Sequence, residues 1–163
     1  MVAHVIERFA PQVGNHLAIS ANRNLAEYRN FDFPVLVDAS EKFDGPLAGI
    51  QAGLRWCTTD YLAVVACDSP LLPLDLVANL LAANEANQTN IAMATAKGRR
   101  QPVFALLKSS VAKSLDEFLA SGNRKIGMWY DAERLSCVEF AQTDAFSNVN
   151  TAEDLADVEP LVS

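Results

Sequence analysis

The sequence predicts a three-layer α/β domain with a mostly parallel sheet. Short apolar stretches alternate with segments of helical period through most of the chain, which is the pattern of strands covered by helices on both faces. One run, Tyr61-Leu-Ala-Val-Val-Ala66, is apolar throughout, as a central parallel strand buried on both sides should be. Asn22, Asp38 and Asp68 each fall just after a predicted strand, so one fold would bring all three to the carboxyl-end rim where ligands gather in such sheets. With 163 residues, 50% apolar and 20% charged, and with no repeat or Gly/Ser linker, residues 1–163 read as a single domain.

Each element has a local reason. Val2, Val5, Ile6, Phe9 and Val13 recur at helical spacing, with Pro11 near the end of the run. Strands are predicted over 16–21 and 34–37, joined by a short helical turn to Tyr28. The segment Asp44-Gly-Pro-Leu-Ala-Gly-Ile-Gln-Ala-Gly-Leu-Arg-Trp56 reads as a loop feeding a helix, because Pro46 suits a first turn and small residues allow close backbone approach. An amphipathic helix is predicted over 74–86 and strands over 90–95 and 102–107. A helix follows over 109–120, with Ser109 or Ser110 as its cap. A short helix over 126–130, a strand over 136–140 and a terminal helix over 151–156, capped by Thr151 with Asp154, complete the reading.

Charge and composition exclude several classes. Thirteen Lys and Arg against 20 Asp and Glu give a net charge of -7, which opposes a polyanion-tracking surface, so no nucleic-acid partner is expected. No stretch reaches the roughly 20 apolar residues of a membrane span, and the first residues lack a signal peptide's basic start, so a cytoplasmic protein is expected. Cys57, Cys67 and Cys137 are odd in number and far from His4 and His16, which suggests free thiols rather than a disulfide or zinc site.

Several residues could carry chemistry. Asp68, directly after the buried strand and followed by Ser69-Pro70, could hold Mg²⁺ beside phosphate oxygens or cap the helix after Pro70. Asp38 could serve a ligand or stabilise its own turn. Asn22 both donates and accepts, as base or ribose recognition requires, though a turn or cap would use it equally; Asn148 and Asn150 read the same way. Arg99 and Arg100 could grip phosphate or pterin-like carbonyls, or sit in a solvated hairpin, and Arg124-Lys125 could touch an anion. Trp56, Trp129 and Tyr130 read as packing residues.

The ordered motifs Ser20-Ala-Asn-Arg-Asn24, Val37-Asp38, Gly45-Pro-Leu-Ala-Gly49, Cys67-Asp-Ser-Pro70, Arg100-Gln-Pro102 and Phe146-Ser-Asn-Val-Asn-Thr151 together resemble the molybdenum cofactor guanylyltransferase family over nearly the whole chain. The resemblance implies a Rossmann-like nucleotidyltransferase domain that uses GTP and Mg²⁺ to attach GMP to molybdopterin with release of pyrophosphate. It also implies that Asn22, Asp38, Gly45 and Gly49 contact the guanine nucleotide and that Asp68 is the Mg²⁺ ligand and catalytic residue. Arg100, Asn148 and Asn150 fall to the molybdopterin side, assisted by Arg124 and Lys125. Molybdoenzymes or cofactor-synthesis proteins would be partners. Two other readings fit the same residues: a nucleotidyltransferase using CTP or a sugar phosphate, and a non-catalytic molybdopterin-binding or partner-docking protein.

Proteins of this kind open with an apolar strand and a glycine-rich loop, Leu-Ala-Gly-Gly-x-Ser-x-Arg-Met-Gly-x-x-Lys, which this sequence does not contain; its seven glycines include no adjacent pair. The expectation is therefore a domain incomplete at its N-terminus, impaired in catalysis without the backbone N–H groups and lysine of that loop. The sheet would be left with an unpaired edge prone to self-association.

Overall fold

The computed structural model describes residues 1–14, 16–38 and 45–147. The chain opens with helix α1 (Val2–Val13), then strand β1 (Ile19–Ser20), the single turn of α2 (Leu25–Tyr28) and β2 (Val35–Leu36). Helix α3 (Pro46–Trp56), β3 (Tyr61–Val64), α4 (Leu76–Asn87) and the hairpin β4 (Ile91–Ala96) and β5 (Arg99–Lys108) follow. Helices α5 (Ala112–Ala120) and α6 (Ile126–Ala132) and strand β6 (Leu135–Glu139) come last among the described elements.

The strands form two sheets. β1 pairs parallel with β2, and a second sheet has the order β3-β5-β4-β6. β5 runs antiparallel to both β3 and β4, whereas β4 and β6 are parallel, so β3, β4 and β6 share one direction and β5 alone is reversed. This meets the mostly parallel expectation, with the reversal supplied by a tight β4–β5 turn in which Lys97 and Gly98 both take positive φ. The β4–β5 register shifts between Met93 and Ala94, opposite the part of β5 that contains Pro102, where a ladder N–H is lacking anyway.

Alternation along the strands feeds two separate cores. Ala92, Ala94, Phe104 and Leu106 pack with Val5 and Phe9 of α1 and Leu76 and Leu80 of α4 on one side. Ile91, Met93, Ala105 and Leu107 pack on the other with Leu47, Ile50 and Leu54 of α3, Leu115 of α5 and Trp129 and Tyr130 of α6. Successive strand residues serve opposite faces, which is why nearly the whole of β4 is buried and apolar.

Four expectations need correction. β3 is no central strand here: it lies at the edge of its sheet and its residues are half-buried. β1 and β2 have two residues each, much shorter than the apolar runs that predicted them. Neither Ser109 nor Ser110 caps α5, since both lie in a 3₁₀ turn, Ser109–Val111, and no side chain caps the helix. Helix α4 starts after Asp75, so Asp68 cannot cap it. Asn148, Asn150 and the helix predicted over 151–156 lie outside the described residues.

Candidate active site

A cavity of about 790 Å³ lies between the two sheets. Its walls are mostly apolar, from α1, β1 and β3, but Asn22, Asp38, Gly45 and Asp68 also line it. Each of these residues lies just past the end of a strand or opens the helix after one, where ligands gather in such sheets.

Asn22 and Asp38 form a two-point clamp between the ends of β1 and β2. Asn22 Nδ2 donates to Asp38 Oδ2 at 2.6 Å, and the Asp38 N–H donates to Asn22 Oδ1 at 2.9 Å. The turn reading is not what these bonds show: each side chain bonds the other residue, 16 positions away past the end of the neighbouring strand, rather than its own turn. Asp38 Oδ1 is enclosed and unpartnered among the described residues, so the carboxylate keeps one acceptor for another group.

Asp68 is half-buried beyond β3, and no hydrogen bond to its carboxylate is found among the described residues. No cluster of three metal-ligating residues occurs among the described residues either. A lone carboxylate nevertheless suits Mg²⁺, which is commonly held by one or two carboxylates with substrate phosphates and water completing its shell. The adjacent Cys67 is exposed as a residue, yet burial around its sulfur, and then the Asp68 carboxylate, push its thiol above the ordinary pKa.

The glycines divide their roles. Gly45, at φ 67°, turns the chain into α3 immediately before Pro46 at the first helical position. Gly49 lies inside α3 against β1, where a Cβ would come within 2.9 Å of Ser20 Oγ.

Arg100 lies near the start of β5, outside the cavity wall, and its Nη1 pairs with Asp131 Oδ1 of α6 at 2.6 Å. The hydrogen bond it donates to Asp131, and then the charge of that carboxylate, hold the guanidinium pKa up. Arg124 bonds the carbonyls of Leu119 and Asn123 at the end of α5, and Lys125 precedes α6; neither lines the cavity. Trp129 and Tyr130 are fully buried, as packing residues should be.

Two acidic residues were not legible as candidates. Glu139, at the end of β6, accepts from Thr95 Oγ1 at 2.6 Å and from the Gly98 N–H at 3.2 Å. Those bonds, the hydroxyl first, hold its carboxyl below the usual range. It falls inside the strand predicted over 136–140, so it lacked the position after a strand that marked Asp68. Asp131 had no such signal, since only the fold brings α6 beside β5.

Residues 1–135 match the MobA-like NTP transferase domain. The chain belongs to this family. Within the MobA-like family, a molybdenum cofactor guanylyltransferase of Shewanella sp. (strain ANA-3) is 50% identical over 154 residues, spanning 94% of this chain and 78% of that protein. A molybdenum cofactor guanylyltransferase of Cupriavidus taiwanensis is 46% identical over 160 residues, 95% of this chain and 80% of its own length. The crystal structure of molybdopterin-guanine dinucleotide biosynthesis protein A from Archaeoglobus fulgidus shares the fold at TM-score 0.76 and 19% identity, over 98% of this chain and 84% of that one. The Rossmann-like nucleotidyltransferase fold of the MobA-like domain is therefore the fold of this chain. Among the described residues, no helix is long and apolar enough to cross a membrane.

Proposed function

We propose that this chain provides the nucleotide-transfer domain of a molybdenum cofactor guanylyltransferase, joining GMP from GTP to molybdopterin with release of pyrophosphate. The observation that carries the reading is that the Asn22–Asp38 clamp and the open Asp68 carboxylate line a single cavity, in a chain 50% identical to a protein of that name.

In this reading the clamp and the Gly45 turn receive the guanine nucleotide. The free Asp38 oxygen accepts from the base or ribose, and Asn22 holds that carboxylate in position. Asp68 holds Mg²⁺, which when bound neutralises the charge that builds on the phosphate oxygens. Asp68 is thus the catalytic residue among those described. Arg100 serves the molybdopterin side by exchanging its Asp131 partner for a phosphate or pterin oxygen, a forked contact that guanidinium makes well. Asn148 and Asn150 belong to the same side.

Binding of GTP with and without Mg²⁺, measured by calorimetry on wild type and Asp68→Asn, tests the metal role: Mg²⁺-dependent binding should be lost in the variant. Unchanged metal dependence would remove Asp68 from it. GMP and CMP transfer to the same molybdopterin acceptor tests the reaction. Preferential CMP transfer would overturn the guanylyl assignment, and pterin binding with no nucleotide binding would leave a carrier protein instead.

A further inference from the structure

The stretch that carries Asp68 leaves its sheet early. Pairing of β3 with β5 stops at Val64, four residues before Asp68, and Pro70 and Pro73 have no N–H with which to join a ladder. Ser69 and Leu72 are fully buried, and the Leu72 N–H reaches back to the Ser69 carbonyl at 3.4 Å. Asp68 therefore stands at the head of a turn whose far end is the approach to α4.

Helix α1 takes hold of that far end. Arg8 and Gln12 lie four residues apart on one face of the helix. Arg8 Nε donates to the Leu72 carbonyl and Gln12 Nε2 to the Pro73 carbonyl, each at 2.9 Å. Gln12 uses its whole amide: Nε2 also donates to the Arg8 carbonyl at 2.9 Å, which aims the side chain, and Oε1 accepts the Val77 N–H at 3.0 Å. Helix α4 has no side-chain cap of its own, so Gln12 satisfies one of its free first-turn N–H groups from another helix. Packing α1 on α4 needs none of these bonds, because Val5 and Phe9 already bury the apolar stripe with Leu76 and Leu80. Gln12 and Val77 line the same cavity as Asp68.

We propose that Arg8 and Gln12 are positioning residues for Asp68: they lock the 69–77 backbone and through it set where the Asp68 carboxylate stands in the cavity. That carboxylate has no hydrogen-bond partner among the described residues, so its place depends on its backbone. Sharing a metal ion with substrate phosphates demands placement to within about 0.5 Å, which a turn tied only at its strand end would not hold. The consequence for metal binding rests on the role given to Asp68 above; the grip on the backbone does not.

Full-chain Gln12→Met, Arg8→Met and Arg8→Lys test it, each first checked for cooperative urea unfolding. Gln12→Met keeps the length of the side chain and loses the amide, so exchange of the Val77 amide should quicken about tenfold and the Asp68 and Ser69 amide resonances should shift. Arg8→Met should shift the same two resonances, and Arg8→Lys, which restores a donor, should return them. A quicker Val77 with Asp68 and Ser69 unmoved would overturn the proposal, because α1 would then brace α4 alone. In calorimetry of GTP with and without Mg²⁺, Gln12→Met should weaken the Mg²⁺-dependent part about tenfold and the metal-free part less than about twofold, with no further loss in Asp68→Asn. Equal loss in both parts, or a loss that adds to that of Asp68→Asn, would mark a general structural effect and overturn it. Full metal dependence in Asp68→Asn alone would remove the metal role, while the Asp68 and Ser69 resonances would still decide the grip. If Gln12→Met does not fold, the Arg8 pair carries the same readouts.

Discussion

Removing the Asn22 side chain should unlock the clamp in the cavity wall, and its cost can be worked from the two bonds. Asn22→Ala loses both the 2.6 Å bond to the Asp38 carboxylate and the 2.9 Å bond from the Asp38 N–H. Asp38→Ala loses only the first, because its backbone N–H survives. A charge-assisted bond contributes about 1.5–3 kcal/mol when shielded, but this pair is solvent-exposed, so about 1 kcal/mol is the better figure, with about 0.5 kcal/mol for the second bond. Asn22→Ala should therefore cost about 1.5 kcal/mol, Asp38→Ala about 1 kcal/mol, and the double variant no more than Asn22→Ala alone. Urea unfolding of the four proteins gives the cycle, and thermal midpoints should fall by roughly 2–4 °C per kcal/mol. Losses that add, giving a double variant near 2.5 kcal/mol, would show that the two side chains act separately and refute the clamp.

The buried Asn84 offers a harsher test. Its Nδ2 donates to the Leu106 carbonyl at 3.1 Å and its Oδ1 accepts from Thr89 at 2.7 Å, so Asn84→Ala should cost about 3 kcal/mol by stranding buried partners, a midpoint drop of roughly 6–12 °C. A loss below 1 kcal/mol in urea unfolding would show that Leu106 and Thr89 find other partners. Cys67 supplies a pH test. Its raised pKa favours the neutral thiol in the fold, so the associated stability is complete below the unfolded pKa and declines as pH rises through the folded one. Alkylation of Cys67, followed by peptide mass spectrometry, should have its inflection above 9.0, and urea should lower it. An inflection unchanged by unfolding would contradict the shift.

Apolar runs set between segments of helical period, the Gly-Pro start of α3 and polar residues after apolar runs were enough to predict a three-layer α/β domain, and they put Asn22, Asp38 and Asp68 after strands. These signals are local: a run's apolarity, a proline's fixed φ, a turn's polarity. Asn84 was invisible because it lies on the buried stripe of α4, where nothing in its neighbours distinguishes a satisfied amide from an exposed one. Asp131 was invisible because its partner Arg100 is 31 residues away and meets it only when α6 packs beside β5.

By itself, then, the sequence determined which segments are strands and helices, which residues end the strands, and the family the motifs spell. Only the tertiary structure decided that the run from Tyr61 would stand at a sheet edge rather than at its centre. Apolarity records how much of a residue's surface is buried, and helices on both faces satisfy that whether or not a neighbouring strand is paired. Hydrogen-bond partners along a sheet edge leave no mark on side-chain polarity, so the cavity between the two sheets could be located only once the fold had set them beside each other.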